Sequence, residues 1–362
     1  MCLSLLQLDV EGLRNLDPLR LEPGPGINFI VGPNASGKTS LLEAIYLLGR
    51  GRSFRTSQAG QMVRFGSSAL TVAGRVLTPE GEGQVLGLKM ARGRREIHVG
   101  GRSVQSSAFL MKAFPLLVIQ PSGIALLEGS PKLRRNFLDF GVFHDDPAFL
   151  DYWRRYMRAL NHRNSLLRRG NTRELAPWTH EMARYGIMLH QARCGYLERL
   201  MPYFREIGGR FFGASPFELK VQPGWDLGRS LEAILDSDVA SDLRHGHTQS
   251  GPHRGDFAIL MGQKPVRGFV SRGQMKLLVY ALLLAQSRLM EERIGSHGCV
   301  LIDDVAAELD SPNRQTLLDL LQGRSTQFFI TATALEAEPM TGSHKATVFK
   351  IEQGRLIQSV AP

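Results

Sequence analysis

Eight consecutive residues, Gly32-Pro33-Asn34-Ala35-Ser36-Gly37-Lys38-Thr39, carry the clearest chemistry in the chain. They satisfy the pattern G-x-x-x-x-G-K-[ST], in which bare glycine backbone wraps closely around phosphate oxygens and offers them N–H groups. Lys38 then reaches the terminal phosphates of a nucleotide such as ATP, the Thr39 hydroxyl ligates Mg²⁺, and Ser40 is the last of the nucleotide-binding residues of this stretch. The flanking elements suit that task. Ile27–Val31 is an apolar run that reads as a buried strand, and Leu42, Ile45 and Leu48 recur on one face of a helix over Thr39–Leu48. A helix that starts at the loop adds the positive end of its dipole.

A second chemical centre lies far downstream. Cys299-Val300-Leu301-Ile302 reads as a buried strand that ends in Asp303 and Asp304. In phosphate-loop enzymes an acid at such a strand end supports the metal, a role that suits Asp303, and Asp304 follows where an attacking water is oriented. Ser271-Arg272-Gly273-Gln274 precedes an apolar helix over Lys276–Leu289 and resembles the signature of the ABC ATPase superfamily. A serine N-cap, a bare glycine and a helix start form an anion site, which in that superfamily closes over the nucleotide of the opposite subunit. A plain N-capped core helix is the other reading of the same residues. For Gln120, after Phe114–Ile119, two readings are equally open: a glutamine that contacts metal and water, or a loop residue before Pro121. The histidine of ABC transporters has no counterpart, because Phe329-Ile330-Thr331-Ala332-Thr333 occupies its stretch. Any phosphate contact there comes from a threonine.

Lys38 and Ser271 stand 233 positions apart (271 − 38), wider than in transporter ATPases, yet no long coiled coil intervenes as in SMC heads. The chain resembles the RecF family in Leu13-Arg14-Asn15-Leu16, in the block Gly32–Arg55, and in Gly129–Arg135 with Phe137-Leu138-Asp139. It does so again in Ser250-Gly251-Pro252-His253-Arg254-Gly255-Asp256, in Ser271–Gln274, and in Asp303-Asp304 with Glu308-Leu309-Asp310. These segments keep family order over nearly the whole chain. Departures are Ala35 where the family has glycine, Met275 where glutamine is common, and Gly255 where alanine is common.

The resemblance implies an α/β fold: an ABC-type P-loop ATPase head, lobe I with a mixed sheet, holding an inserted, mostly helical lobe II. The expected boundaries are 1–118 and 296–362 for lobe I and 119–295 for lobe II. It also implies ATP and Mg²⁺ as cofactors, an ATP-dependent homodimer completed in trans by the signature and Asp310, and slow hydrolysis helped by DNA. DNA, RecR, and a pathway with RecO and RecA at single-strand gaps are the implied partners. Arg14 is either a phosphate contact or a solvated turn arginine.

Composition agrees with a globular, non-membrane protein. Of 362 residues 43% are hydrophobic and 22% charged, with 44 Lys+Arg against 34 Asp+Glu and a net charge of +10. The longest apolar run, Leu277–Ala285, is far too short to cross a bilayer. Cys2, Cys194 and Cys299 show no disulfide-type or metal-type spacing, which suits a reducing cytoplasm. The positive charge is concentrated: residues 50–102 hold ten Lys+Arg and three acids, and 132–169 hold nine and four. Arg52, Arg55, Arg94, Arg95, Arg134, Arg135, Arg154, Arg155 and Arg158 are therefore candidates for binding DNA by its backbone, without sequence preference. Two other functions share the phosphate loop, a transporter's ATPase subunit and a small-molecule kinase.

Overall fold

The computed structural model describes residues 4–78, 80–91, 94–213, 217–294, 298–333 and 346–360; Cys2 and Arg92 lie outside them. In chain order the first elements are β1 (Ser4–Glu11), β2 (Leu19–Leu21), β3 (Ile27–Val31), α1 (Lys38–Arg50), β4 (Ala69–Leu77), β5 (Gly83–Ala91), β6 (Arg94–Val99), β7 (Arg102–Val104), α2 (Ala108–Ala113) and β8 (Leu116–Ile119). Helices α3 (Ala125–Glu128), α4 (Pro131–Asp145), α5 (Phe149–Arg168) and α6 (Leu175–Phe212) follow, then β9 (Phe217–Gln222), α7 (Leu231–Ser237), α8 (Val239–His245), β10 (Asp256–Met261) and β11 (Lys264–Pro265). The chain continues through α9 (Arg272–Ile294), β12 (Cys299–Ile302), α10 (Val305–Glu308), α11 (Ser311–Leu321), β13 (Gln327–Ala332), β14 (Ala346–Glu352) and β15 (Arg355–Val360).

Two compact units result, residues 1–123 with 280–362, and residues 124–279. In the first, a six-stranded antiparallel sheet runs β2-β1-β4-β5-β6-β7 and a six-stranded mixed sheet runs β15-β14-β3-β13-β12-β8. In the mixed sheet β14, β3, β13, β12 and β8 are parallel, and only β15 is antiparallel. Such parallel strands read as continuous apolar runs, and β3, β12 and β13 are buried at every position. Helix α1 is buried from Ser40 to Gly49. It shares one core with Leu5, Leu8, Val72 and Leu88 of the antiparallel sheet and with Ile30, Leu301, Phe329 and Phe349 of the mixed one. The Gly100–Gly101 pair has positive φ at both residues, 57° and 76°, and so makes the tight β6–β7 hairpin that L-residues disfavour.

In the second unit α5 and α6 supply the long amphipathic helices expected around Trp153 and Met182, and a three-stranded sheet β11-β10-β9 accompanies them. The expectation of a mostly helical stretch from Pro121 to about Leu243 holds one exception, Phe217–Gln222, whose alternating burial marks a half-buried strand. The loop Ser250–Asp256 is pinned by three helices. Arg193 of α6 donates to Pro252 O at 2.7 Å, Arg135 of α4 to Gly255 O at 2.7 Å, and Tyr156 Oη of α5 lies 2.6 Å from His253 Nδ1. Burial lowers the His253 pKa to about 4, so the ring is neutral near pH 7, bridging Tyr156 and the Thr248 carbonyl.

The units divide at 123/124 and 279/280, whereas the sequence reading placed the boundaries at 118/119 and 295/296. The larger difference falls within α9, whose far half groups with the first unit. Leu282, Leu284, Ala285, Leu289 and Met290 are buried, and Glu291 accepts bonds from Arg324 (2.8 Å) and from the Ser325 N–H (3.0 Å).

Candidate functional site: a phosphate-loop cleft

The cleft is built where β3 hands over to α1. Neither Gly32 nor Gly37 has room for a side chain: a Cβ on Gly32 would stand 2.1 Å from Ile351 O, and Gly37 has φ +116° with Leu16 at 2.9 Å. The loop is tied down from outside, since the Gly354 N–H donates to Ser36 O at 2.7 Å and Asn15 Nδ2 to Ala35 O at 3.2 Å. Ala35 adopts a left-handed φ of +62°, which costs an L-residue roughly 1 kcal/mol or more and which glycine adopts freely. The alanine keeps the loop's shape at that cost. Helix α1 begins here without a side-chain cap, the arrangement that leaves a helix start to an anion. Lys38 Nζ donates to Gly32 O (2.7 Å) and Pro33 O (2.9 Å). Ser36 Oγ is buried with no hydrogen-bond partner among the described residues, a donor available to a phosphate oxygen.

The acids at the end of β12 come together with this loop. Asp303 is only 6% exposed, and its Oδ1 accepts from Thr39 Oγ1 at 3.0 Å and from Thr331 Oγ1 at 2.8 Å. Its N–H donates to Ile119 O on neighbouring β8, which ends beside half-buried Gln120. Asp304 has left-handed angles, φ 55° and ψ 49°, and its N–H donates to Thr331 Oγ1 at 2.7 Å. Asn34–Ser40, Pro121, Asp303, Asp304 and Thr331 line one open cleft of about 610 Å³, together with Arg14, Asn15 and Arg55.

Two arginines stand there over a buried carboxylate that the sequence reading missed. Arg14 makes a two-pronged pair with Glu43 at 2.9 and 2.8 Å and donates to Gln61 O. Arg55 reaches the same carboxylate at 3.4 Å, and Ser53 Oγ also bonds it. Glu43 is fully buried, and two cations around one carboxylate leave local positive charge in the cleft. The solvated-turn reading of Arg14 is thus set aside, and Arg55 faces the cleft. A charge inside the otherwise apolar stretch Leu41–Leu48 was the available signal.

The signature residues Ser271–Gln274 are all exposed and close a reciprocal capping box: the Gln274 N–H donates to Ser271 Oγ (3.2 Å) and the Ser271 N–H to Gln274 Oε1 (2.9 Å). Asp310 is exposed and caps α11 through the Asn313 N–H at 3.0 Å.

The basic candidates divide by burial. Arg52, Arg94, Arg95, Arg154 and Arg158 are exposed. Arg155 is exposed but bonded to Asp151 and Tyr185, and Arg135 holds Gly255 O. Arg134 must be withdrawn as a DNA contact. It is 6% exposed, paired through two bonds with Asp256 at 2.7 and 2.8 Å, and donates to three carbonyls of residues 126–129. No helix among the described residues is long and apolar enough to cross a membrane.

Fold and site together define a P-loop head of the type shared by RecF, RecN and SMC proteins, and the family model described as RecF/RecN/SMC N terminal domain matches residues 4–356. The DNA replication and repair protein RecF of Aliivibrio fischeri (strain MJ11) is 38% identical over 358 residues, covering 98% of this chain and all of the relative. A solved structure of the recombination mediator protein RecF-ATP in the RecFOR pathway superposes with a TM-score of 0.88 at 29% identity, covering 99% of this chain and 98% of that one. The Smc head domain derived from Pyrococcus furiosus shares the fold, with a TM-score of 0.61 at 17% identity over 99% of this chain and 96% of that one. The chain belongs to the RecF family. Full-length likeness to DNA repair proteins leaves the transporter and small-molecule kinase readings without support.

Proposed function

We propose that the chain is an ATP-dependent DNA-binding protein of gap repair, dimerising around Mg²⁺-ATP and acting with RecR and RecO to load RecA. The observation that carries this is the meeting of Thr39, Asp303 and Asp304 in one cleft with the Gly32–Thr39 loop. Lys38 and the loop N–H groups take the β- and γ-phosphates, and the Ser36 hydroxyl gains a partner there. Mg²⁺ neutralises phosphate charge when bound, and Thr39 with Asp303 would hold it. Asp304 orients the attacking water, with Gln120 at the adjoining strand end. Arg14 and Arg55 add positive charge at the cleft wall, steered by Glu43. The exposed Ser271–Gln274 cap and Asp310 complete the partner copy's site. A single Asp304 without a catalytic glutamate suits slow turnover, so that ATP acts as a clamp and DNA accelerates its release.

DNA is held by its backbone on exposed arginines such as Arg52, Arg94, Arg95, Arg154 and Arg158. Titration of the ATP-bound protein with a labelled gapped duplex across salt concentrations tests this. Raising salt from about 50 to about 200 mM should weaken binding by roughly 10³-fold if six or more phosphates are neutralised. Removing Arg154 and Arg158 together should flatten the slope by about two. Affinity indifferent to salt would refute backbone binding.

A further inference from the structure

We propose that Thr331 is a positioning residue that sets both acids of the cleft, so that its hydroxyl, and not a direct phosphate contact, is what β13 contributes to hydrolysis. The inference rests on reading the cleft as an ATP site. The Thr331 side chain is fully buried, yet it lines the cleft. One hydroxyl serves two neighbours at once. It donates to Asp303 Oδ1 at 2.8 Å and accepts the Asp304 N–H at 2.7 Å. Those two bonds fix opposite ends of the acidic pair: the carboxylate direction of Asp303, and the backbone of Asp304 in a left-handed conformation that an aspartate reaches at some cost and a hydrogen bond helps to hold.

Position in the sheet makes the brace effective. Strand β13 lies between β3, which feeds the phosphate loop, and β12, which carries the acids. Thr331 is in register with Ile30 on β3, and its predecessor Ile330 with Ile302 on β12. The hydroxyl therefore ties the acids to the strand beside the loop. With the Thr39 and Thr331 hydroxyls both on Oδ1, the carboxylate of Asp303 is held in one orientation, and Oδ2 takes neither bond. Without the Thr331 hydroxyl the Asp304 N–H loses this acceptor, which weakens the hold on its left-handed conformation.

The test compares wild type with Thr331→Val, which keeps the shape and removes the hydroxyl, and Thr331→Ser, which restores it. Three measurements are made: single-turnover ATP hydrolysis, nucleotide affinity with Mg²⁺ and with EDTA, and thermal unfolding of nucleotide-free protein in a double-variant cycle with Asp303→Ala, which removes the acceptor of the Thr331 hydroxyl. Thr331→Val should slow hydrolysis by about tenfold or more, raise the Mg²⁺ concentration needed for half-maximal rate several-fold, and leave affinity in EDTA within about twofold of wild type. Thr331→Ser should recover most of the rate. In the unfolding cycle the two substitutions should be non-additive, the double variant melting higher than the summed shifts require. Val-variant turnover equal to wild type, or an additive cycle, would overturn the brace. Wild type that neither binds nor hydrolyses ATP would instead defeat the reading of the cleft, and the nucleotide-free cycle would still decide whether Thr331 and Asp303 act together.

Discussion

Asp303→Asn is expected to lower ATP turnover by roughly 10²–10³-fold while the protein still binds nucleotide through the phosphate loop. The amide is nearly the same size, so packing around a residue 6% exposed is preserved. Its oxygen can still accept from the Thr39 and Thr331 hydroxyls. What disappears is the negative charge that would face Mg²⁺, together with one acceptor, because the new NH₂ group can only donate. Single-turnover hydrolysis with saturating ATP, alongside equilibrium nucleotide binding, separates the two effects. Turnover within about threefold of wild type would remove Asp303 from the metal site.

The largest stability effect is expected at Arg163, in the helical unit and away from any proposed chemistry. Its guanidinium is fully buried and donates to Asp242 Oδ2 (2.6 Å), Thr248 Oγ1 (2.7 Å), Thr179 Oγ1 (3.2 Å) and Leu235 O (2.8 Å). Arg163→Leu strands the Asp242 carboxylate, itself fully buried, with the Gln249 N–H as a remaining donor. Leaving one buried charge uncompensated costs about 3–5 kcal/mol, which for a unit of this size lowers the melting temperature by on the order of 10 °C. Adding Asp242→Asn should return part of the loss, since the stranded charge is then gone. Arg158→Ala on the same helix is exposed and should shift melting by no more than about 1 °C. Calorimetric melts of the three variants check the contrast, and equal shifts for Arg163 and Arg158 would contradict it.

The contrast between those two arginines also shows where the sequence stops being legible. Along α5 a charge run looks uniform, but Arg163 anchors a core while Arg154 and Arg158 face solvent. Only partners 16 to 85 positions away along the chain make the difference. Arg134 misled for the same reason, its Asp256 partner being 122 residues distant. By contrast, the phosphate loop was legible because its chemistry is local: strand, glycines, lysine and helix are contiguous, and β3 and α1 lie where the apolar pattern puts them. The acids of Asp303-Asp304 were legible for that reason too. The clamp of Glu43 on Arg14 and Arg55 was not, since a lone acid in a helix reads as solvated until both arginines are brought to it. The strand Phe217–Gln222 was lost because six residues give too little periodicity against the helices around it, and the boundary inside α9 because a continuous helix carries no break.

The central claim is that ATP in this cleft joins two copies through the signature of each. Sedimentation velocity with and without Mg²⁺-ATP, on wild type, Lys38→Met and Ser271→Arg, addresses it directly. The account predicts a monomer that becomes a dimer only with nucleotide, and only in wild type: Lys38→Met loses the phosphate contact, and Ser271→Arg fills the exposed cap with a bulky cation. Nucleotide binding without dimerisation, or Ser271→Arg dimerising as wild type does, would contradict it.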